Sequence, residues 1–139
     1  FYSDWLITDQ RDGKLVSAPS TSPGNQFINE NGIKAASTLG AAMDQQLIED
    51  IFTIYRQSTK ILMVKTALLP TIETQLEGLR PGVQLGPDGR ILEWDRPYDE
   101  PEKGHRHLSH LYAFHPGNAI TLSQTPDYFE AVKKTLYYL

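Results

Sequence analysis

All four histidines of this 139-residue chain stand between positions 105 and 115, in His105-Arg106-His107-Leu108-Ser109-His110 and in His115. A solvated loop has no reason to concentrate imidazoles. Three chemistries compete for them. A metal site would use two or three imidazoles with a carboxylate, but Arg106 would repel a cation, and no His-Glu-x-x-His pattern sets a base beside the ligands. A buried hydrogen-bond network would use the same groups without a ligand. A polar-substrate site would use arginine and neutral imidazole as directional donors to hydroxyl groups, as sugars require. No metal and no cofactor is expected.

Two further segments carry chemistry. Glu93-Trp94 sets a carboxylate beside an aromatic plate, a common way to hold a sugar: the ring packs on its C–H face and the acid accepts from hydroxyls. The same pair suits plain alternation of surface and core along a strand. Pro19-Ser20-Thr21-Ser22-Pro23-Gly24-Asn25 reads by composition as a turn-rich loop, its Pro-Gly pair favouring a type II turn.

The elements that must position these groups are mostly helical. The clearest helix runs from about Met43 to Met63, with Leu47, Ile48, Ile51, Ile54, Tyr55, Ile61 and Leu62 on one face. Asp44 suits its N-cap or first turn. A second starts at Pro70, carries Ile72, Leu76 and Leu79, and stops at Arg80-Pro81-Gly82. A third has Thr125 as N-cap and Pro126 at its first turn, with Phe129, Val132, Leu136 and Leu139 as its stripe. If 105–114 is helical, His107 and His110 share a face. Residues 4–16 read as two extended pieces around Asp12-Gly13, and 83–94 as a hairpin around Gly86-Pro87-Asp88-Gly89. Residues 17–33 form a long irregular stretch of the functional or mobile kind.

Composition is that of an ordinary globular chain, 40% hydrophobic and 22% charged. A net charge of −4 without a basic block argues against nucleic-acid binding. There is no cysteine, so disulfides and thiolate metal sites are excluded. No apolar run reaches membrane-span length, and no signal peptide is visible. Both ends read as cut, which makes residues 1–139 an expected excerpt of one longer domain.

Taken together, three segments resemble glycoside hydrolase family 95, which contains α-L-fucosidases and some α-L-galactosidases. Leu15-Val16 through Pro19-Ser20 to Ser22-Pro23-Gly24-Asn25 is similar to the family's LV-x-x-PS-x-SPEN loop. Met43-Asp44 to Ile51-Phe52 is similar to its MD-x-x-(I/L)I-x-(D/E)LF helix. Glu93-Trp94, His105-Arg106-His107-Leu108-Ser109-His110-Leu111-Tyr112 and Pro116-Gly117-Asn118 are similar to its EW…HRH-x-SHLY…PGN segment, the most specific of the three.

The resemblance implies a mainly α fold: part of an (α/α)6 barrel with small β-hairpins and long loops. Twelve helices of about 11–12 residues need roughly 130–145 residues before any loop, so this chain would supply only part of the ring and would pack against the remainder of its own catalytic domain. It implies hydrolysis of terminal α-L-fucose or α-L-galactose from glycans with inversion, by an acid and a water-activating base roughly 6.5–9.5 Å apart. The family residues that position the water lie in motifs outside this chain. The family's proton donor falls at Gly24, which has no titratable group. An inactive relative, an altered residue, or another acid such as Glu93 or Glu30 would each account for that. Asn25, Trp94, Arg106, His107 and His110 are the expected sugar contacts. A non-catalytic carbohydrate-binding relative and a metal-dependent helical hydrolase are the competing readings. A glycan substrate makes a secreted or periplasmic location the expectation.

Overall fold

The computed structural model describes residues 1–138. Helices dominate: α1 Tyr2–Trp5, α2 Ala42–Ile61, α3 Leu69–Gly78 and α4 Pro126–Tyr138. Six short strands form three antiparallel pairs. β1 (Leu6–Thr8) pairs with β2 (Leu15–Ser17), Ile7 opposite Val16, around the predicted Asp-Gly turn. The stretch expected to be irregular is instead a nested excursion. β4 (Phe27–Ile28) pairs with β5 (Lys34–Ala35), inside the pairing of β3 (Ser20–Thr21) with β6 (Ser37–Thr38). Its tip is closed by Asn29, whose side-chain oxygen accepts from the backbone of Asn31 and Ile33, each at 3.0 Å.

The long helix forms where periodicity places it, but only part of the expected stripe is buried: Ile48 is in the core, Tyr55 packs against it and Leu47 is half-buried. Ile48 is fully buried, whereas Ile51, Ile54, Ile61 and Leu62 are exposed. The inward face is Ala42, Gln45, Gln46, Ile48, Phe52 and Thr59. Helical spacing allows either stripe; the buried amides select this one because the surrounding backbone satisfies them. Gln45 accepts from Ser17 N at 2.8 Å and donates to Arg80 O at 3.0 Å. Gln46 donates to Gly82 O at 2.9 Å and to His110 O at 2.8 Å, and accepts from Ala113 N at 2.7 Å. Asp44 sits in the first turn of α2, not at the N-cap, which is Ala41.

Apolar packing divides into two clusters. One joins Ile48 and Phe52 of α2 to Ile72 and Leu79, with Trp5, Leu15 and Leu76 against it. The other joins Ile91, Leu111, Ala113 and Ile120 to Ala131 and Val132 of α4. Gln46 ties α2 to the backbone of the second cluster. Gln46→Leu, close in volume, strands Ala113 N and leaves Gly82 O and His110 O short of a donor. It is expected to destabilise the protein by about 3 kcal/mol, read as a lower urea midpoint with unchanged slope.

α3 begins at Leu69, with Pro70 in its first turn, and buries Ile72 as expected. α4 starts at Pro126 and buries Ala131, Val132 and Thr135; Leu136 is exposed, and Leu139 lies outside the described residues. Residues 83–94 form a tight turn with one antiparallel bridge, Leu85 to Ile91, rather than two strands. Residues 105–114 do not form an α-helix: a single 3-10 turn, Ser109–Leu111, interrupts irregular backbone. His107 reaches out of this segment to Pro23. Among the described residues no helix is long and apolar enough to cross a membrane.

Candidate active site

Four pieces of chain meet at Glu93. The first is the N-terminus of α2, where Ala42 N donates to Glu93 O at 3.1 Å. Beside it Ser20 Oγ donates to Asp44 at 2.6 Å and accepts from Ala41 N at 2.9 Å, which fastens the 20–25 loop to the start of the helix. The second is that loop. Asn25 Nδ2 lies 3.0 Å from both Glu93 oxygens, and Ser22 Oγ donates to Oε1. The third is the segment 91–95, which carries Glu93 itself. The fourth is the histidine segment: Ser109 Oγ is 3.0 Å from Ser22 Oγ, and His110 Nδ1 is 3.8 Å from Glu93 Oε2.

This surrounding sets the titration of both groups. The Glu93 side chain is 10% exposed, and burial pushes its carboxyl above the usual range, against the hydrogen bonds from Ser22 and Asn25. Glu100 pushes in the same direction and His105 opposes it. Burial, with Arg90 nearby, holds His110 down to about 4. His110 is therefore neutral at pH 7, and its 3.8 Å separation from Glu93 is not an ion pair.

Glu93, Trp94, His105, His107 and His110 line one cavity of about 80 Å³. That is smaller than the ~300–1,000 Å³ of ordinary small-ligand pockets. Trp94 is 3% exposed, its ring centroid 5.4 Å from that of Phe27, so its face is packed rather than presented as a plate. Neither Trp94 Nε1 nor His110 Nδ1 has a partner among the described residues. His107 Nδ1 lies 2.8 Å from Pro23 O. A carbonyl only accepts, so Nδ1 carries the proton and Nε2 is left as an acceptor. His107 N donates to His105 Nδ1 at 3.3 Å, which puts the His105 proton on Nε2 in the neutral ring. Arg106 is exposed, with no hydrogen bond or ion pair among the described residues. Among those residues no three His, Asp or Glu side chains form a metal-binding group.

Gly24 has φ +71°, and a Cβ built there would stand 2.5 Å from His107 Cε1 and Nδ1. The imidazole fills the space a side chain would need, and the left-handed backbone favours glycine independently. Gly24→Ala is therefore expected to lower stability by about 2 kcal/mol, seen as a drop in Tm, and to break the His107–Pro23 bond. A Tm equal to wild type would show that the loop yields freely. The other carboxylate, Glu30, is 72% exposed and pairs with Arg96.

Two features escaped sequence reasoning. Ser22 and Ser109 belong to the site, yet nothing local separates a hydroxyl that closes a turn from one that reaches Glu93, 71 residues away. The second is an ion network that includes Asp95, the residue after Trp94. Arg11 joins Asp9 to Asp95 at 2.5 and 2.7 Å, and Arg80 reaches Asp9 at 2.5 Å. Spacing carries no signal for the Arg11–Asp95 and Arg80–Asp9 pairs, 84 and 71 residues apart.

The glycosyl hydrolase family 95 catalytic domain model matches residues 1–138. The chain belongs to glycosyl hydrolase family 95. It is 34% identical over 136 residues to Alpha-L-fucosidase 2 of Arabidopsis thaliana, with 98% of this chain and 16% of that protein covered. It is 33% identical over 143 residues to Probable alpha-fucosidase A of Aspergillus niger, with 99% and 17% covered. The protein of the same name from Aspergillus oryzae is 36% identical over 127 residues, with 84% and 16% covered. The chain thus spans about a sixth of the length of these family 95 relatives. The loop around Ser22 and the histidine segment, which the fold joins at Glu93, both lie within the family 95 match.

Proposed function

We propose that this chain forms part of the sugar-binding and proton-donating wall of a hydrolase that removes terminal α-L-fucose or α-L-galactose from glycans with inversion. The observation that carries this reading is Glu93: a buried carboxyl whose proton affinity is raised by its surroundings, held by Asn25 and Ser22 beside neutral His110. A general acid must hold a proton near working pH and release it in the transition state. Gly24 supplies no such group. Glu93 gives its proton to the glycosidic oxygen as the bond from that oxygen to the anomeric carbon breaks. A water adds to that carbon from the opposite face and loses its proton to a base outside this chain.

Asn25, Arg106, His107 and His110 supply the hydrogen bonds to the sugar, with Trp94 closing the cavity behind Glu93. The cavity is too small for a pyranose ring. The sugar therefore lies across its mouth, with the other walls supplied by the rest of an (α/α)6 barrel domain of the same polypeptide. A glycan substrate places the protein in the secreted or periplasmic class.

The test is incubation of the full polypeptide with glycans ending in α-L-fucose or α-L-galactose, the released sugar being followed by proton NMR. The expected first product is the β-anomer. The close fit of His107 over Gly24 favours a second reading, a carbohydrate-binding relative without turnover. Calorimetry with L-fucose separates the two: binding without release selects the second. Neither binding nor release of either sugar would sink both.

A further inference from the structure

The hydroxyls around Glu93 are ordered in one direction. An ionised Glu93 can only accept, so the single proton of Ser22 Oγ points to Oε1. Ser22 Oγ must then accept from Ser109 Oγ, 3.0 Å away. The chain of donors thus runs Ser109 to Ser22 to Glu93 and links the histidine segment to the carboxyl through the 20–25 loop. Ser22 is 3% exposed, so no solvent donor replaces it when it is removed. Asn25 holds the carboxyl from a second direction and spans both oxygens. Ser22 is the donor that is itself polarised by a further hydroxyl.

We propose that Ser22 is a positioning residue that sets the proton occupancy of Glu93, with Ser109 as its relay. This rests on the reading of Glu93 as the group that holds the proton. Each donor in the chain stabilises the ionised carboxylate more than the neutral acid. Removing one therefore shifts the balance toward the protonated form. Other charged or titratable groups also face this carboxyl. From the histidine segment come His105, His107 and neutral His110; Glu100, Arg90 and Arg96 stand on the same cavity. None of them donates a hydrogen bond to Glu93 among the described residues, so loss of the Ser22 hydroxyl is not made good by a neighbour.

The experiment uses the full polypeptide and the variants Ser22→Ala, Ser22→Thr, Ser109→Ala and Glu93→Gln. Infrared difference titration follows the protonated-carboxyl band, assigned to Glu93 by its loss in Glu93→Gln. In parallel, the pH profile of kcat/KM is measured on an α-L-fucoside. Ser22→Ala is expected to move the Glu93 midpoint, and the alkaline limb of the profile, upward by about one pH unit. Ser109→Ala should move both in the same direction by less, and Ser22→Thr should restore both. If Ser22→Ala or Ser109→Ala lowers Tm but leaves the infrared midpoint in place, the residue is structural and the proposal is overturned. If the infrared midpoint moves while Glu93→Gln retains full turnover, the inference stands and the reading of Glu93 as the proton donor fails.

Discussion

If Glu93 is the proposed general acid, Glu93→Gln in the full polypeptide is expected to slow hydrolysis of an α-L-fucoside by about 10²–10⁴-fold, the range that such a group contributes. Glutamine keeps the shape of the side chain, and its amide oxygen can still accept from Ser22 and Asn25. The fold and the sugar affinity should therefore survive, and the loss should appear in kcat more than in KM. The pH profile provides a second check. Burial raises the carboxyl of Glu93, so its protonated form persists above the usual carboxylate range, and the wild-type alkaline limb should fall where that proton is lost. The amide has no such proton, so the limb should vanish in Glu93→Gln. Wild-type kcat with an unchanged profile would transfer the acid's role away from Glu93.

The second large effect concerns stability. Asp9 and Arg80 have side chains 4% and 7% exposed and meet at 2.5 Å. Asp9→Ala removes the partner shared by Arg11 and Arg80 and leaves a buried guanidinium held only by the more exposed Asp12. The expected cost is about 3–5 kcal/mol, measurable as a lower urea midpoint and Tm. The double variant Asp9→Leu, Arg80→Met should cost less than Asp9→Ala, because no unpaired charge stays buried. A double variant worse than the single would contradict this account.

The pH dependence has a definite sign. Arg11, and then Arg80, hold the Asp9 carboxyl well below the usual range, against the burial that raises it. Its folded-state affinity for protons is lower than in the unfolded chain. The associated stability is fully present above the unfolded value of about 3.8 and is lost as pH falls below it. His110 adds a loss at milder pH. Its folded value of about 4 lies below the ordinary 6.5, so the unfolded chain takes up a proton there first, and stability declines as pH drops from 6.5 toward 4. Glu93 acts oppositely: its raised carboxyl stabilises the protonated fold at low pH, and that contribution fades as pH rises through its folded value.

The amino-acid sequence by itself determined where the main helices lie. Apolar spacing and the prolines at 70 and 126 are local signals, because a missing N–H and a fixed φ act on their own turn. It also determined the family, through residue types in order along the chain. What it could not determine was which face of α2 is buried. The long apolar residues Ile51 and Ile54 lost to Gln45 and Gln46 because backbone groups from β2, Arg80, Gly82 and the 110–113 segment satisfy those amides. Over 105–114 the expected helix is replaced by irregular backbone around one 3-10 turn, in which His107 bonds to Pro23.

Only the tertiary structure decided which residues share the site. Glu93, Asn25, His107 and His110 are legible as chemically able, but the carboxyl's environment depends on Ser22 and Ser109. Ser22 meets it across 71 residues of separation, and Ser109 meets Ser22 across 87. Periodicity reports the neighbours of a residue along its own element. Burial and hydrogen bonding at Glu93 come from four segments that only the packed fold brings together.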